Sequence, residues 1–371
     1  MSEVIDGWGL GACAPVVLAP WQERLHQVRR RKRAQTAEVL PFEPADPPAE
    51  DESDAVIEHR DFLTALRTRL GSSAVQEDER LAAHTSLRVG GPADVLVVAS
   101  DMDTLRQAVM LAWEHSVPCR VLGAGSNVLA SDRGVPGLVV INRAKAIIFS
   151  EKGVRAESGA SLSTLAQRCV TRGWAGLEWA TGIPGTVGGA VVGNAGAWGG
   201  DVASALASTR ILQPDGTVGL WKVEQMKYGY RQSALKGSAV ERGPGTAPGA
   251  TRRPVVLEAS FKVQPGDRHA LRARVVEIAA HRRATQPGGA SCGSVFRNPP
   301  GDYAGRLIEA AGLKGQHRGN AIISPVHANF IVNLGGASAS DVLSLIKLAR
   351  QSVKEQFGVA LELEIELLGR W

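Results

Sequence analysis

The segment Ala180–Gly200, ATGIPGTVGGAVVGNAGAWGG, packs eight glycines into 21 residues and carries no charged side chain. Too little side-chain volume is present for an ordinary core. Glycine instead lets backbone approach a flat or extended ligand, Pro184 stiffens the turn, and Thr186 and Asn194 add polar contacts without charge. Upstream, VLGAGSNVLASDRG (121–134) places a second glycine turn after a short β-rich run. Gly123 and Gly125 suggest a dinucleotide fingerprint, but Val128 holds the third glycine position, and GVPGLVVIN reads as a strand where a Rossmann unit needs a helix. The turn is better read as an anion nest, with backbone N–H groups, the Ser126 hydroxyl and the Asn127 amide facing phosphate oxygens; an ordinary tight turn is the alternative. Together the two loops predict a long phosphate-containing cofactor wrapped by backbone.

Bulk properties narrow the classes. A chain of 371 residues with 44% hydrophobic and 21% charged residues has room for a large core and is neither fibrous nor broadly disordered. The net charge of +5 is mild and owes part of itself to the block Arg29–Arg33, so it does not require nucleic acid. Cys13, Cys119, Cys169 and Cys292 are scattered without metal-ligand spacing, which argues against zinc, an iron–sulfur cluster or a disulfide scaffold. No apolar run reaches the length of a membrane span, and the first basic residue is Arg24, too late for a signal peptide. The expectation is a soluble cytoplasmic protein with no membrane partner.

Along the chain, residues 1–57 form a biased leader, RRRKR followed by an acidic, proline-rich block, expected to stay unpacked. Helices are predicted from Ser100, with Leu105, Ala108, Val109, Ala112 and Trp113 on one face, and over Leu162–Val170, closed by Gly173. RILQPDGTVGLWKV reads as a hairpin about Asp215-Gly216. The loop 237–253 is glycine- and proline-rich and expected to be flexible. A helix from Arg268 to Arg283 is taken to open a second unit ending in LELEIELL. There Leu361, Leu363 and Ile365 face a core, and Glu362, Glu364 and Glu366 share the other side. Within that unit, SCGSVFRNPPG (291–301) fits no helix or central strand. From the residues alone, Ser294 reads as a capping or turn serine in preference to a hydroxyl placed to react.

The ordered set TSLRVGGPA, LGAGSNVL, IPGTVGGAVVGNAGAWG, YGYRQSALK, GSVFRNP, AGRLIEAAGLKG, HANFIVN and LELEIELLG resembles the UDP-N-acetylenolpyruvoylglucosamine reductases, from Thr85 to Gly369. The resemblance implies an α+β protein: a two-subdomain FAD-binding fold of the vanillyl-alcohol-oxidase (PCMH) type over 58–266 and a C-terminal α+β substrate domain over 267–371. It implies non-covalent FAD, NADPH as co-substrate and a UDP-sugar substrate. A monomer without nucleic acid is expected. Cofactor contacts are expected from Gly123, Gly125, Ser126, Asn127 and Leu129, and from Ile183, Pro184, Gly185, Thr186, Gly188, Gly189, Asn194 and Gly196.

The resemblance also places the reaction. Ser294 stands where the family keeps its proton donor, Arg231 where an arginine meets the substrate carboxylate, and Glu364 where a glutamate, in protonated form, helps polarise it. Ser233 remains a rival hydroxyl. Tyr230, Asn298, His327 and Asn329 are expected to touch substrate, although a structural role for His327 stays equally open. The chain lacks the tyrosine-bearing loop of the family's first class. Thr285 replaces a lysine found in some members, leaving Arg282, Arg283 or Arg297 to supply the cation, and Gly319-Asn320 replaces a pair of glycines. Two rival readings remain, a covalent flavin oxidase of sugars or alcohols and a non-enzymatic protein binding acidic partners through RRRKR.

Overall fold

The computed structural model describes residues 52–237 and 252–371; the basic block of the leader and nearly all of the 237–253 loop lie outside them. Helix α1 (Glu52–Leu70) begins inside the span assigned to the leader, so regular structure starts before residue 58. A four-stranded sheet runs β1 (Val75–Arg80), β2 (Pro92–Ala99), β5 (Val135–Asn142), β3 (Cys119–Leu122), while β4 (Val128–Ala130) pairs elsewhere. Strands β2, β5 and β3 are mutually parallel, and β5 is buried on both faces, hence its unbroken LVVI run. Helix α2 (Met102–Glu114) lays its expected stripe, Leu105 to Trp113, with Phe62 and Leu66 of α1 against Val95, Val97, Leu138 and Val140. Its cap is Asp101, which accepts from the Thr104 N–H at 2.8 Å, one residue after the expected Ser100.

A second sheet is antiparallel throughout: β9 (Val218–Lys222), β8 (Leu206–Leu212), β10 (Val255–Phe261), β7 (Gly153–Glu157), β6 (Ile147–Ser150). Helix α3 (Leu162–Arg172) buries Leu162, Leu165, Ala166 and Cys169 in this unit's core and stops at Gly173, whose φ of 75° is left-handed. The glycine stretch contributes to that core after all. Its middle forms a seven-residue helix α4 (Val187–Gly193) with Val187, Ala190 and Val191 buried, because the apolar positions fall at i, i+3 and i+4 between the glycines.

The third sheet runs β11 (Ala290–Ser294), β14 (Phe330–Asn333), β13 (Ala321–Ile323), β12 (His317–Arg318), packed with helices α6 (Ala304–Ala310) and α7 (Ala339–Phe357). Helix α5 (Arg268–Thr285) does not join it: α5 packs along α3, Arg268 donates to the Arg172 carbonyl, and the His281 ring meets Trp198 edge-on at 4.6 Å. The unit expected to open at 267 therefore has its first helix packed against α3, in the unit built on the second sheet. Nor is LELEIELL one regular strand. Only β15 (Glu366–Leu368) is regular, pairing in parallel with β4, and the alternation slips so that Leu367 is 38% exposed while Leu368 is buried. Parallel pairing with β4 draws the chain end onto the first subdomain, and Leu87, Val89 and Leu129 from the N-terminal half sit in the C-terminal core. The first and third units are therefore joined through the β4–β15 pair and a shared core.

Candidate active site

Both glycine loops line one cavity of about 710 Å³, within the usual range of about 300–1,000 Å³ for small-molecule sites. The loops touch each other. A Cβ at Gly123 would lie 2.2 Å from Thr186 Oγ1, and one at Gly185 would lie 2.8 Å from Ser126 Oγ. Gly125 has φ +58°, and a Cβ there would strike the His84 carbonyl at 2.4 Å. Gly193, by contrast, lines the cavity and faces open space. The result is a backbone cradle held open by missing side chains. Gly188, Gly189, Gly196, Ile183 and Pro184 complete that wall, so the residues present fit a flat group joined to a phosphate-bearing tail.

Ser294, Arg231 and Glu364, far apart in the chain, all reach the same cavity. Ser294 ends β11 at a bulge: Ser291 pairs with Val332 but Ser294 with Phe330, and Gly293 between them takes φ 76°. Such an extra residue re-aims the side chain that follows. Among the described residues the Ser294 hydroxyl has no hydrogen-bond partner. Ser233 is different, since its Oγ donates to the Val192 carbonyl at 2.6 Å and accepts from the Leu235 N–H, so the rival hydroxyl is a buried structural group.

Arg231 adopts φ 56°, a left-handed conformation uncommon outside glycine. Its guanidinium donates to the carbonyls of Gly196 (3.0 Å) and Asn194 (3.4 Å), and its Nε lies 2.7 Å from Glu364 Oε1. One side chain thus joins the glycine loop to the acidic residue. Glu364 is held from both sides of its backbone, its N–H donating to the Val295 carbonyl at 2.9 Å and its carbonyl accepting from Asn127 Nδ2 at 3.1 Å. Burial pushes its carboxyl above the usual range, opposed by Arg231 and then Lys236. Glu362 is exposed and pairs with Arg297 at 3.7 Å, whereas Glu366 lines the cavity with Glu364. The three glutamates do not share one environment.

Several expected contacts fall elsewhere. Asn194 is buried, with its amide donating to the Gly229 carbonyl and accepting from the Ala203 N–H, so it braces the loop and does not line the cavity. Leu129 belongs to the C-terminal core. Asn329 bonds both the N–H and the carbonyl of Phe296, and His327 Nδ1 accepts from the Asn329 N–H while its ring packs on Phe330 at 4.9 Å. Asn298 accepts from the Ala304 N–H at the start of α6. Tyr230 is 56% exposed beside Arg231 and lies off the cavity wall. In the first loop Asn127 lines the cavity as expected, while its side-chain amide donates to the Glu364 carbonyl.

Of the three arginines offered in place of the lysine at Thr285, Arg282 lines the cavity while Arg283 and Arg297 do not. Sequence reasoning missed Lys236, Arg120, Arg253 and Ser86, all on the cavity wall. Lys236 ends the YGYRQSALK motif, five residues after Arg231, and that spacing was the available signal. Burial lowers the pKa of its ammonium, with Glu366 the strongest opposing influence. Cys292 also borders the cavity, but burial pushes its thiol up to about 12, so it is a neutral core side chain and not a nucleophile. Among the described residues no cluster of metal-ligating side chains occurs, and no helix is long and apolar enough to cross a membrane.

A glycine-backbone cradle running into a wall of titratable side chains is the layout of a flavin-dependent oxidoreductase, and residues 93–219 match the model of the FAD binding domain. Residues 285–368 match the C-terminal domain of UDP-N-acetylenolpyruvoylglucosamine reductase. The reductase of Chloroflexus aggregans is 44% identical over 298 residues, covering 79% of this chain and 97% of the relative. That of Rubrobacter xylanophilus is 45% identical, covering 80% and 96%. The crystal structure of the Thermus caldophilus reductase superimposes with a TM-score of 0.66 at 37% identity, covering 79% of this chain and 98% of that one. The chain belongs to the UDP-N-acetylenolpyruvoylglucosamine reductase family.

Proposed function

We propose that the chain reduces UDP-N-acetylglucosamine enolpyruvate to UDP-N-acetylmuramate in peptidoglycan precursor synthesis, with NADPH and non-covalent FAD, and that Ser294, Arg231 and Glu364 carry the reaction. The convergence of these three side chains on the cavity formed by the two glycine loops supports this reading most directly. Held by the two glycine loops, FAD would supply hydride equivalents drawn from NADPH for the terminal carbon of the enolpyruvyl group. Negative charge then develops on the neighbouring carbon and its carboxylate, where a preorganised cation and acid lower the barrier. Arg231 is suited to the carboxylate, since its planar fork is permanently charged and already anchored by two backbone carbonyls. Glu364, whose carboxyl burial shifts toward the protonated form, lies beside it and can add a donor when protonated.

Ser294 gives the proton. A serine hydroxyl is a weak acid, so the alkoxide it leaves needs cations close by, and Lys236 and Arg231 border the same cavity. Arg282 supplies the cation that Thr285 lacks. The site of action is the cytoplasm, where nucleotide sugars and NADPH are produced, and the working form is a monomer, which a solution mass measurement tests directly. The activity test follows NADPH consumption by the yellow purified protein with and without UDP-N-acetylglucosamine enolpyruvate. Consumption should rise steeply with that compound, and acid precipitation should release the colour. No stimulation, or flavin that stays in the pellet, overturns the reading.

A further inference from the structure

Ser86 has no part in the chemistry above, yet it joins the flavin cradle to the strand that carries the proton donor. Its backbone N–H donates to the Gly125 carbonyl at 3.1 Å, fixing it to the tip of the first glycine loop. Its hydroxyl donates to the Ser291 carbonyl at 2.7 Å, across 205 residues of chain. The Gly125 carbonyl is a second, longer option for that proton at 3.3 Å. Ser86 itself is held by its neighbour, because Thr85 Oγ1 donates to the Val89 carbonyl and accepts the Val89 N–H, closing the turn beneath it.

The location of the accepting carbonyl matters. Ser291 is the last regularly paired residue before the bulge, and Gly293 within the bulge takes φ 76° and has no side chain with which to hold its own position. A carbonyl pinned at the start of the bulge fixes where Ser294 emerges from it. Glu364 has an equivalent tie, since Asn127 of the same loop donates to its carbonyl and accepts from the Glu366 N–H. The segments carrying Ser294 and Glu364 are therefore both tethered to the first glycine loop by a short hydrogen-bonded link, and Ser86 is the link for Ser294.

We propose that Ser86 is a positioning residue that sets the location of Ser294 relative to the flavin. The inference rests on Ser294 being the proton donor. Removing the Ser86 hydroxyl leaves its backbone tie to the first glycine loop but takes away the link that holds the start of the bulge to that loop, and misplacement of a reacting group by an ångström costs on the order of 100-fold. In rapid-mixing measurements on the flavin-loaded full chain, Ser86→Ala should slow enolpyruvate reduction about 10- to 100-fold while changing flavin reduction by NADPH less than about threefold. Ser86→Thr, which keeps the donor, should recover most of the loss. Amide exchange across residues 290–296 should quicken in the flavin-loaded Ser86→Ala protein and stay unchanged across α3.

Equal slowing of both half-reactions, unaltered exchange across 290–296, or a Thr variant no better than Ala overturns the positioning role. If Ser86→Ala fails to retain flavin, Ser86→Cys, of nearly the same size and a weaker donor, carries the same comparison. Ser294→Ala run alongside separates the two claims. Unimpaired enolpyruvate reduction in that variant defeats the donor assignment itself, whereas its loss together with an unaffected Ser86→Ala defeats only the inference about Ser86.

Discussion

The two ends of the cavity are built on opposite principles. The cradle works through what its residues lack: Gly123 and Gly125 sit where any Cβ would collide with Thr186 or the His84 carbonyl, and Gly193 leaves space open. The end proposed to react presents a hydroxyl, a guanidinium and a carboxyl mounted on irregular backbone at the Gly293 bulge, at Arg231 with φ 56° and just before the short strand β15. Shape governs the first and functional groups the second. Substitutions should therefore divide into those that empty the cradle of flavin and those that leave a yellow protein unable to complete turnover.

Ser294→Ala gives the largest expected separation. A general acid contributes about 10²- to 10⁴-fold, so enolpyruvate reduction should fall by that order while NADPH still bleaches the flavin at close to the normal rate. Parallel loss of both half-reactions would mean that Ser294 supports the cradle and that the division is false. Gly125→Ala should produce the opposite pattern. A side chain at φ +58° with its Cβ 2.4 Å from a carbonyl forces the loop to shift, at about 1–3 kcal/mol, or roughly 5- to 150-fold in flavin retention. Flavin fluorescence released on dilution reads that loss, and the fraction still holding flavin should turn over nearly normally.

The comparison also shows what the sequence made legible. Helices α2 and α3, with their buried stripes and the Gly173 stop, depend on local periodicity and could be read directly. The cradle could be read as well, because a dense glycine run has few other uses. Asn194 and Asn329 misled because a polar residue within a binding motif looks like a ligand contact. Their amides instead satisfy backbone groups brought near only by tertiary folding, Gly229 and Ala203 in one case and Phe296 in the other. Leu129 follows the glycine turn directly, but its β4 position beside β15 turns it into the C-terminal core. At the reacting end, Ser294 alone reads as a turn serine, and only resemblance separated Glu364 from its neighbours. What distinguishes Glu364 is burial and Arg231, neither visible in an alternating strand pattern.

Glu364→Gln sharpens the contrast most finely, because it alters a proton count and little else. Burial raises the carboxyl's pKa above 4.5 in the folded chain, with Arg231 and Lys236 pulling it back, so the folded state binds more protons than the unfolded state between 4.5 and that raised value. Stability contributed by the protonated form is therefore present at low pH and declines as pH rises through this window. The glutamine variant, which cannot ionise, should show a shallower fall of melting temperature with pH than the parent. Turnover should follow the same sign. If the protonated carboxyl assists Arg231 in polarising the substrate carboxylate, parental enolpyruvate reduction weakens on the alkaline side of the raised pKa, and Glu364→Gln flattens that limb with a loss of under about tenfold, or roughly 1.4 kcal/mol, at its best pH. An unchanged alkaline limb would assign the titration to another group, Lys236 first among them, since its ammonium borders the same cavity and burial lowers its pKa.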